Sequence, residues 1–132
     1  MIIDSSALLA ILFNEPEKES FLEAIQKDPY IKMSVANYLE SAIRIDSFRD
    51  PILSRLFDEL VEEMGIELKE VTPDQAQIAR QAFKDFGKGS GHSASLNFGD
   101  CFAYALTKAT KEKLLFKGND FPETDINSAI PS

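Results

Sequence analysis

The feature that most constrains the fold is the alternation of short, strand-sized apolar runs with longer stretches at helical spacing. Met1 to Ile3, Tyr30 to Met33, the alternating Ile66, Leu68 and Val71, and Leu114 to Phe116 read as four strands. Between them the apolar residues recur at helical spacing. One helix is predicted over Ala7 to Phe13, and another past Pro16 with Phe21, Ala24 and Ile25 inward. Strands that alternate with helices predict an α/β chain with a mostly parallel central sheet covered on both faces, a three-layer α/β/α arrangement.

Local punctuation supports this. Ser34 caps a helix whose Val35, Leu39, Ala42 and Ile43 form an apolar stripe, with Glu40 about 100° from Leu39 at the stripe's border. Asp50 and Pro51 open a helix carrying Leu53, Leu56, Phe57, Leu60 and Val61, and Gly65 stops it. Thr72 to Gln75 opens another, with Ala76, Ala79, Ala82, Phe83 and Phe86. The glycine- and serine-rich Gly87 to Ser95 reads as a flexible loop inside the domain. Asn97 and Asp100 form a capping-box-like pair for a helix running to about Ala109.

At 132 residues, 44% of them hydrophobic, the chain is expected to form one domain spanning 1–132. The lone Cys101 sits in an apolar run, which predicts a buried thiol in a reducing compartment. The first residues lack a basic segment, and the longest apolar stretch, Ala7 to Phe13, is too short for a bilayer. A soluble, cytoplasmic protein is therefore expected. A net charge of −8 argues against coating nucleic acid by bulk electrostatics but leaves room for a nuclease, whose metal centre must be acidic.

Four acids stand out by position. Asp4 and Asp120 follow the first and last strands, at the edge where parallel α/β sheets gather their ligands. The helix that starts near Asp100 feeds the last strand through a short turn. It must run antiparallel to that strand and return Asp100 to the same edge. Glu40 lies about two turns into the helix that leaves the second strand. Gathered carboxylates repel unless a cation or protons compensate, and a hard divalent ion such as Mg²⁺ or Mn²⁺ is the economical partner.

Each acid also has a purely structural reading. Asp4 can cap the following helix, Glu40 can pair with Arg44, Asp100 can serve the helix dipole, and Asp120 can be a turn residue.

The segment Ile-Ile-Asp-Ser-Ser-Ala-Leu from Ile2 and the block Leu-Asn-Phe-Gly-Asp-Cys-Phe-Ala-Tyr-Ala-Leu from Leu96 resemble the PIN-domain ribonucleases, and among them the VapC-type toxins of toxin–antitoxin pairs. Ser34 to Glu40, the glycine-rich loop and Leu114 to Ile126 extend the likeness over nearly the whole chain.

The resemblance implies a PIN fold with Asp4, Glu40, Asp100 and Asp120 as an acidic quartet around Mg²⁺ or Mn²⁺, cutting RNA with a metal-activated water. It implies Ser6 as the hydroxyl supporting Asp4, a VapB-like antitoxin as partner, and a homodimer. Asp125 is the rival to Asp120, with a turn role as its alternative. The loop carries Ser90, Ser93 and Ser95 where related sequences are often basic, leaving Arg44, Lys84, Lys88, His92 and Lys117 as possible RNA contacts. A non-catalytic PIN-fold binding module and another metal-dependent phosphohydrolase are the competing functions. Serine at position 6 argues against a haloacid-type phosphatase, which needs aspartate there.

Overall fold

The computed structural model describes residues 1–130, so the last two residues of the expected domain lie outside it. Four strands, β1 (Ile2–Ile3), β2 (Lys32–Ser34), β3 (Glu67–Lys69) and β4 (Leu114–Leu115), form one sheet in the order β3-β2-β1-β4. Every pairing is parallel. Six helices connect them: α1 (Ser5–Leu12), α2 (Lys18–Lys27), α3 (Val35–Asp46), α4 (Pro51–Glu63), α5 (Pro73–Phe86) and α6 (Phe98–Thr110).

The two-residue period of the strands divides the core into two halves. Ile3, Met33 and Leu115 face one cluster, with Leu8, Phe21, Ile45 and Phe57 from α1 to α4. Ile2 and Leu114 face the other, with Ala79, Ala82, Ala103 and Leu106 from α5 and α6. Helices therefore cover both faces, giving the three-layer α/β/α architecture. No described helix is long and apolar enough to cross a membrane.

Most helix starts follow the caps. Ser34, Asp50 and Thr72 accept backbone N–H bonds from the first turns of α3, α4 and α5, with Pro51 and Pro73 at the first helical positions. The loop after α5 is closed at its base by a bridge between Gly87 and Leu96, through Lys88 N to Leu96 O and Leu96 N to Phe86 O, both at 2.8 Å. Cys101 is a buried free thiol.

The phase of α3 departs from expectation. Val35, Leu39 and Ile43 are exposed, Leu39 by 56%, while Asn37, Ser41 and Ile45 are buried. Strand β2 ends at Ser34, and that residue's cap fixes how the helix is rotated as it leaves the sheet. The face turned toward the start of α6 is polar, and of the predicted stripe only Ala42 packs against the core, beside Tyr38 and Ile45, while Val35, Leu39 and Ile43 point outward. Glu40, one residue before Ser41, consequently stands exposed at the rim of a cleft rather than bordering an apolar interface.

Candidate active site

At the carboxyl edge of the sheet an open cleft of about 330 Å³ is lined by Asp4, Glu40, Asp100 and Asp120, together with Ser5, Ser6, Arg44, Asn97 and Lys117. The parallel sheet explains the place: β1 and β4 both deliver their last residues here, and α1, α3 and α6 all begin here.

Asp4 is the N-cap of α1 and only 4% exposed. Its Oδ2 accepts the Ser6 backbone N–H at 3.0 Å and the Ser6 hydroxyl at 2.6 Å. That hydroxyl in turn accepts the Lys117 N–H at 2.9 Å, so one serine ties the first acid to the chain leaving β4. The capping reading and the cleft reading of Asp4 are thus both true of one side chain.

Asp100, 9% exposed, is the third residue of α6 and completes a full capping box. Its N–H donates to Asn97 Oδ1 at 2.9 Å, and its Oδ2 accepts the Asn97 N–H at 3.0 Å. Asp120 lies in the exposed turn after β4. Glu40 Oε1 accepts the Ser5 hydroxyl at 2.8 Å and the Asn37 amide at 3.4 Å; among the described residues it makes no ion pair, so the expected alternative partner, Arg44, does not hold it.

The electrostatics follow from burial and crowding. Burial pushes the Asp4 carboxyl above its ordinary range, with the Glu40 charge adding to it against the bonds from Ser6. Asp100 is pushed up to about 7, chiefly by desolvation and further by the charges of Asp4 and Asp120 and a hydrogen-bonding contact to Asp120, against the opposing bond from the Asn97 N–H. Two carboxyls that hold protons this tightly are underpaid in positive charge.

A hard divalent cation fits this donor set. All four acids offer carboxylate oxygens to one cavity, the two buried ones favour any added positive charge, and serine and asparagine groups hold their second oxygens. Among the described residues, no three of these acids are drawn close enough to form a ready-made cage.

Of the basic candidates, Arg44 and Lys117 line the cleft. Lys117 is held by Glu15 and by Glu17 at 3.3 Å, so its charge is already partnered. Lys84, Lys88 and His92 lie outside the lining. The His92 ring packs edge-on against Phe86 at 5.0 Å, and its Nδ1 accepts the Ala94 N–H at 3.0 Å. Asp125 also stands apart, accepting the Tyr104 hydroxyl at 2.7 Å and the Lys108 ammonium at 2.8 Å in a separate depression. Between the two rivals, it is Asp120 that shares the cleft.

Sequence reasoning gave no site role to Ser5, Asn37 or Gly99. Ser5 adjoins Asp4 and was legible as a local hydroxyl. A glycine in the first turn of a helix was a signal for Gly99, since a Cβ there would land on the Glu40 carboxylate. Asn37 gave no signal without the phase of α3.

The profile of the PIN domain matches residues 1–127. The chain is 48% identical over 130 residues to ribonuclease VapC28 of Mycobacterium tuberculosis, with 98% of each chain covered. It is 46% identical over 133 residues to ribonuclease VapC30 of the same species, covering 99% of this chain and 100% of the relative. In structure it resembles M. tuberculosis VapC20, described as a Sarcin-Ricin loop cleaving toxin, with a TM-score of 0.72, 13% identity and 98% of each chain covered. A toxin–antitoxin complex from Klebsiella pneumoniae matches at a TM-score of 0.64 and 14% identity, covering 89% of this chain and 85% of that one. Sequence likeness along nearly the full chain and a shared three-layer fold place this protein in the PIN-domain family, among the VapC ribonucleases.

Proposed function

We propose that the protein is a divalent-cation-dependent endoribonuclease acting as the toxin of a toxin–antitoxin pair, and that Asp4, Glu40, Asp100 and Asp120 carry the reaction. The observation that supports this most directly is the joint presence of Asp4, Asp100 and Asp120 in one cleft, with the two buried carboxyls held above their ordinary range by burial and by neighbouring carboxylates. Mg²⁺ or Mn²⁺ held by these carboxylates would supply a nucleophilic water and charge stabilisation at the phosphate.

The protein's own groups orient and exclude. Ser6 fixes Asp4 and Asn97 fixes Asp100, so the two buried acids keep one oxygen each for the cleft. Arg44 and Lys117 at the rim are placed to meet phosphate oxygens, Lys117 after release from Glu15 and Glu17. Hydrolysis adds water across one phosphodiester bond and releases a phosphate-ended and a hydroxyl-ended fragment.

The names of the relatives support the toxin role and a protein antitoxin as partner. A homodimer working in the cytoplasm completes the proposal. Purified protein with Mn²⁺ should cut RNA, and Asp4→Asn should abolish cutting while leaving the fold intact. Undiminished cleavage by Asp4→Asn preparations, free of contaminating nuclease, would overturn the assignment.

A further inference from the structure

Asn37 is completely buried at the crossing of α3 and α6, yet its amide is only half used. Its Nδ2 donates to Gly99 O at 2.9 Å and, more weakly, to Glu40 Oε1 at 3.4 Å. Among the described residues its Oδ1 is the buried side-chain polar atom with no partner. Leaving such an acceptor unpaired costs stability, and an apolar side chain of similar size would avoid that cost. Folding alone therefore gives no reason for asparagine here.

The neighbours supply one. The Asn37 backbone carbonyl accepts the Ser41 hydroxyl at 2.8 Å and lies 3.2 Å from the Ser5 hydroxyl, whose single proton goes to the nearer Glu40 Oε1 at 2.8 Å. Glu40 is then laid directly over Gly99, where any side chain would collide with its carboxylate. A carboxylate over the first turn of a helix is also favoured by the free N–H groups and dipole of that turn. The same turn carries Asp100, one residue after Gly99.

We infer that Asn37 is a positioning residue: by clasping the Gly99 carbonyl it fixes Glu40 of α3 against the first turn of α6, and so sets the spacing between Glu40 and Asp100, with the bare Cα of Gly99 as the seat for the carboxylate. The inference rests on the nuclease reading for its consequence in catalysis, but the clasp itself is independent of it. Asn37 touches neither substrate nor reacting atoms, and acts through Glu40.

Two substitutions disturb the clasp by different routes. Asn37→Leu keeps the branching and heavy-atom count, at somewhat greater bulk, and removes both amide bonds while also removing the orphaned oxygen. Gly99→Ala leaves Asn37 intact and pushes the Glu40 carboxylate off its seat. Mn²⁺ affinity of each full-length protein is read by titrating the paramagnetic signal of the free ion, alongside the melting temperature and the split of kcat from KM on RNA. Both variants are expected to bind Mn²⁺ about 10- to 100-fold more weakly, the effect typical of groups that orient metal ligands, with kcat lowered and KM for RNA little changed. Wild-type Mn²⁺ affinity in both folded variants would overturn the inference. If Asn37→Leu does not fold, Gly99→Ala decides alone by the same criterion. Failure of the wild type to cut RNA would refute the nuclease reading, and the Mn²⁺ titration would still decide the clasp.

Discussion

Lys117 and Ser6 meet across the cleft: the backbone N–H of Lys117 donates to the Ser6 hydroxyl at 2.9 Å, and that hydroxyl donates in turn to Asp4 Oδ2 at 2.6 Å. The strand that closes the sheet is thereby coupled to the acid that opens the chain. Ser6→Ala breaks both bonds and leaves the Lys117 N–H without its partner. The expected loss is about 1–2 kcal/mol of stability, together with weaker Mn²⁺ binding. Chemical denaturation and Mn²⁺ titration check this; a variant unchanged in both would deny the coupling.

Protonation of the cleft sets an unusual pH dependence. The folded Asp100 carboxyl is raised from 3.8 to about 7, and Asp4 is raised as well, so the folded chain binds protons more tightly than the unfolded one. Their contribution is full below about pH 4 and is lost as pH rises through about 7. Without divalent cations, stability measured by denaturant should fall across that window. Mn²⁺ should restore more stability at pH 8 than at pH 5. A metal-induced gain that shrinks with rising pH would contradict the shifts. Asp125, held low chiefly by Lys108, acts in the opposite sense and only at the acid end.

Asp100→Asn should separate stability from activity. The amide oxygen can still accept the Asn97 N–H, while the repulsion from Asp4 and Asp120 disappears. Metal-free protein at pH 8 should melt at a higher temperature than wild type, and cleavage should be lost. A lower melting temperature would mean that the charge of Asp100 stabilises the fold.

Asp120 and Asp125 should behave differently. Asp120→Asn is expected to depress cleavage strongly with little effect on melting. Asp125→Ala removes the acceptor of Tyr104 and Lys108 and should cost about 1 kcal/mol while cleavage persists. Loss of cleavage in Asp125→Ala with Asp120→Asn active would reverse the two roles.

At the rim, Glu15→Gln combined with Glu17→Gln frees the Lys117 ammonium from its two partners. RNA binding should tighten and become steeper in its salt dependence, because one more cation is available to phosphate. The ion pairs are partly exposed, so stability should change by less than about 1 kcal/mol. Unaltered RNA affinity would show that Lys117 does not reach the substrate.

The layered fold and the meeting of the acids were legible because both follow from chain order. Alternating strands and helices demand parallel pairing, and a helix that feeds β4 through a short turn must start beside Asp120, which puts Asp100 there. The phase of α3 was not legible. Val35, Leu39 and Ile43 promised a buried stripe, but the direction in which the chain leaves Ser34 overrode side-chain hydrophobicity. The roles of Asn37 and Gly99 depend on where two helices cross, and the separation of Asp125 depends on its contact with Tyr104. Neither relation is written in local spacing.

The pairing of the first strand with the last has a consequence for when the protein becomes dangerous. Ile2 N donates to Lys113 O and Asp4 N to Leu115 O, each at 2.9 Å, so β1, already beside β2, gains its second neighbour, the edge strand, only after β4 is made. On the ribosome Asp4 and Glu40 would emerge well before Asp100 and Asp120 could stand beside them. Closing that long loop is the slowest kind of contact to form. The cleft is therefore complete only once α6, β4 and the turn carrying Asp120 have been made.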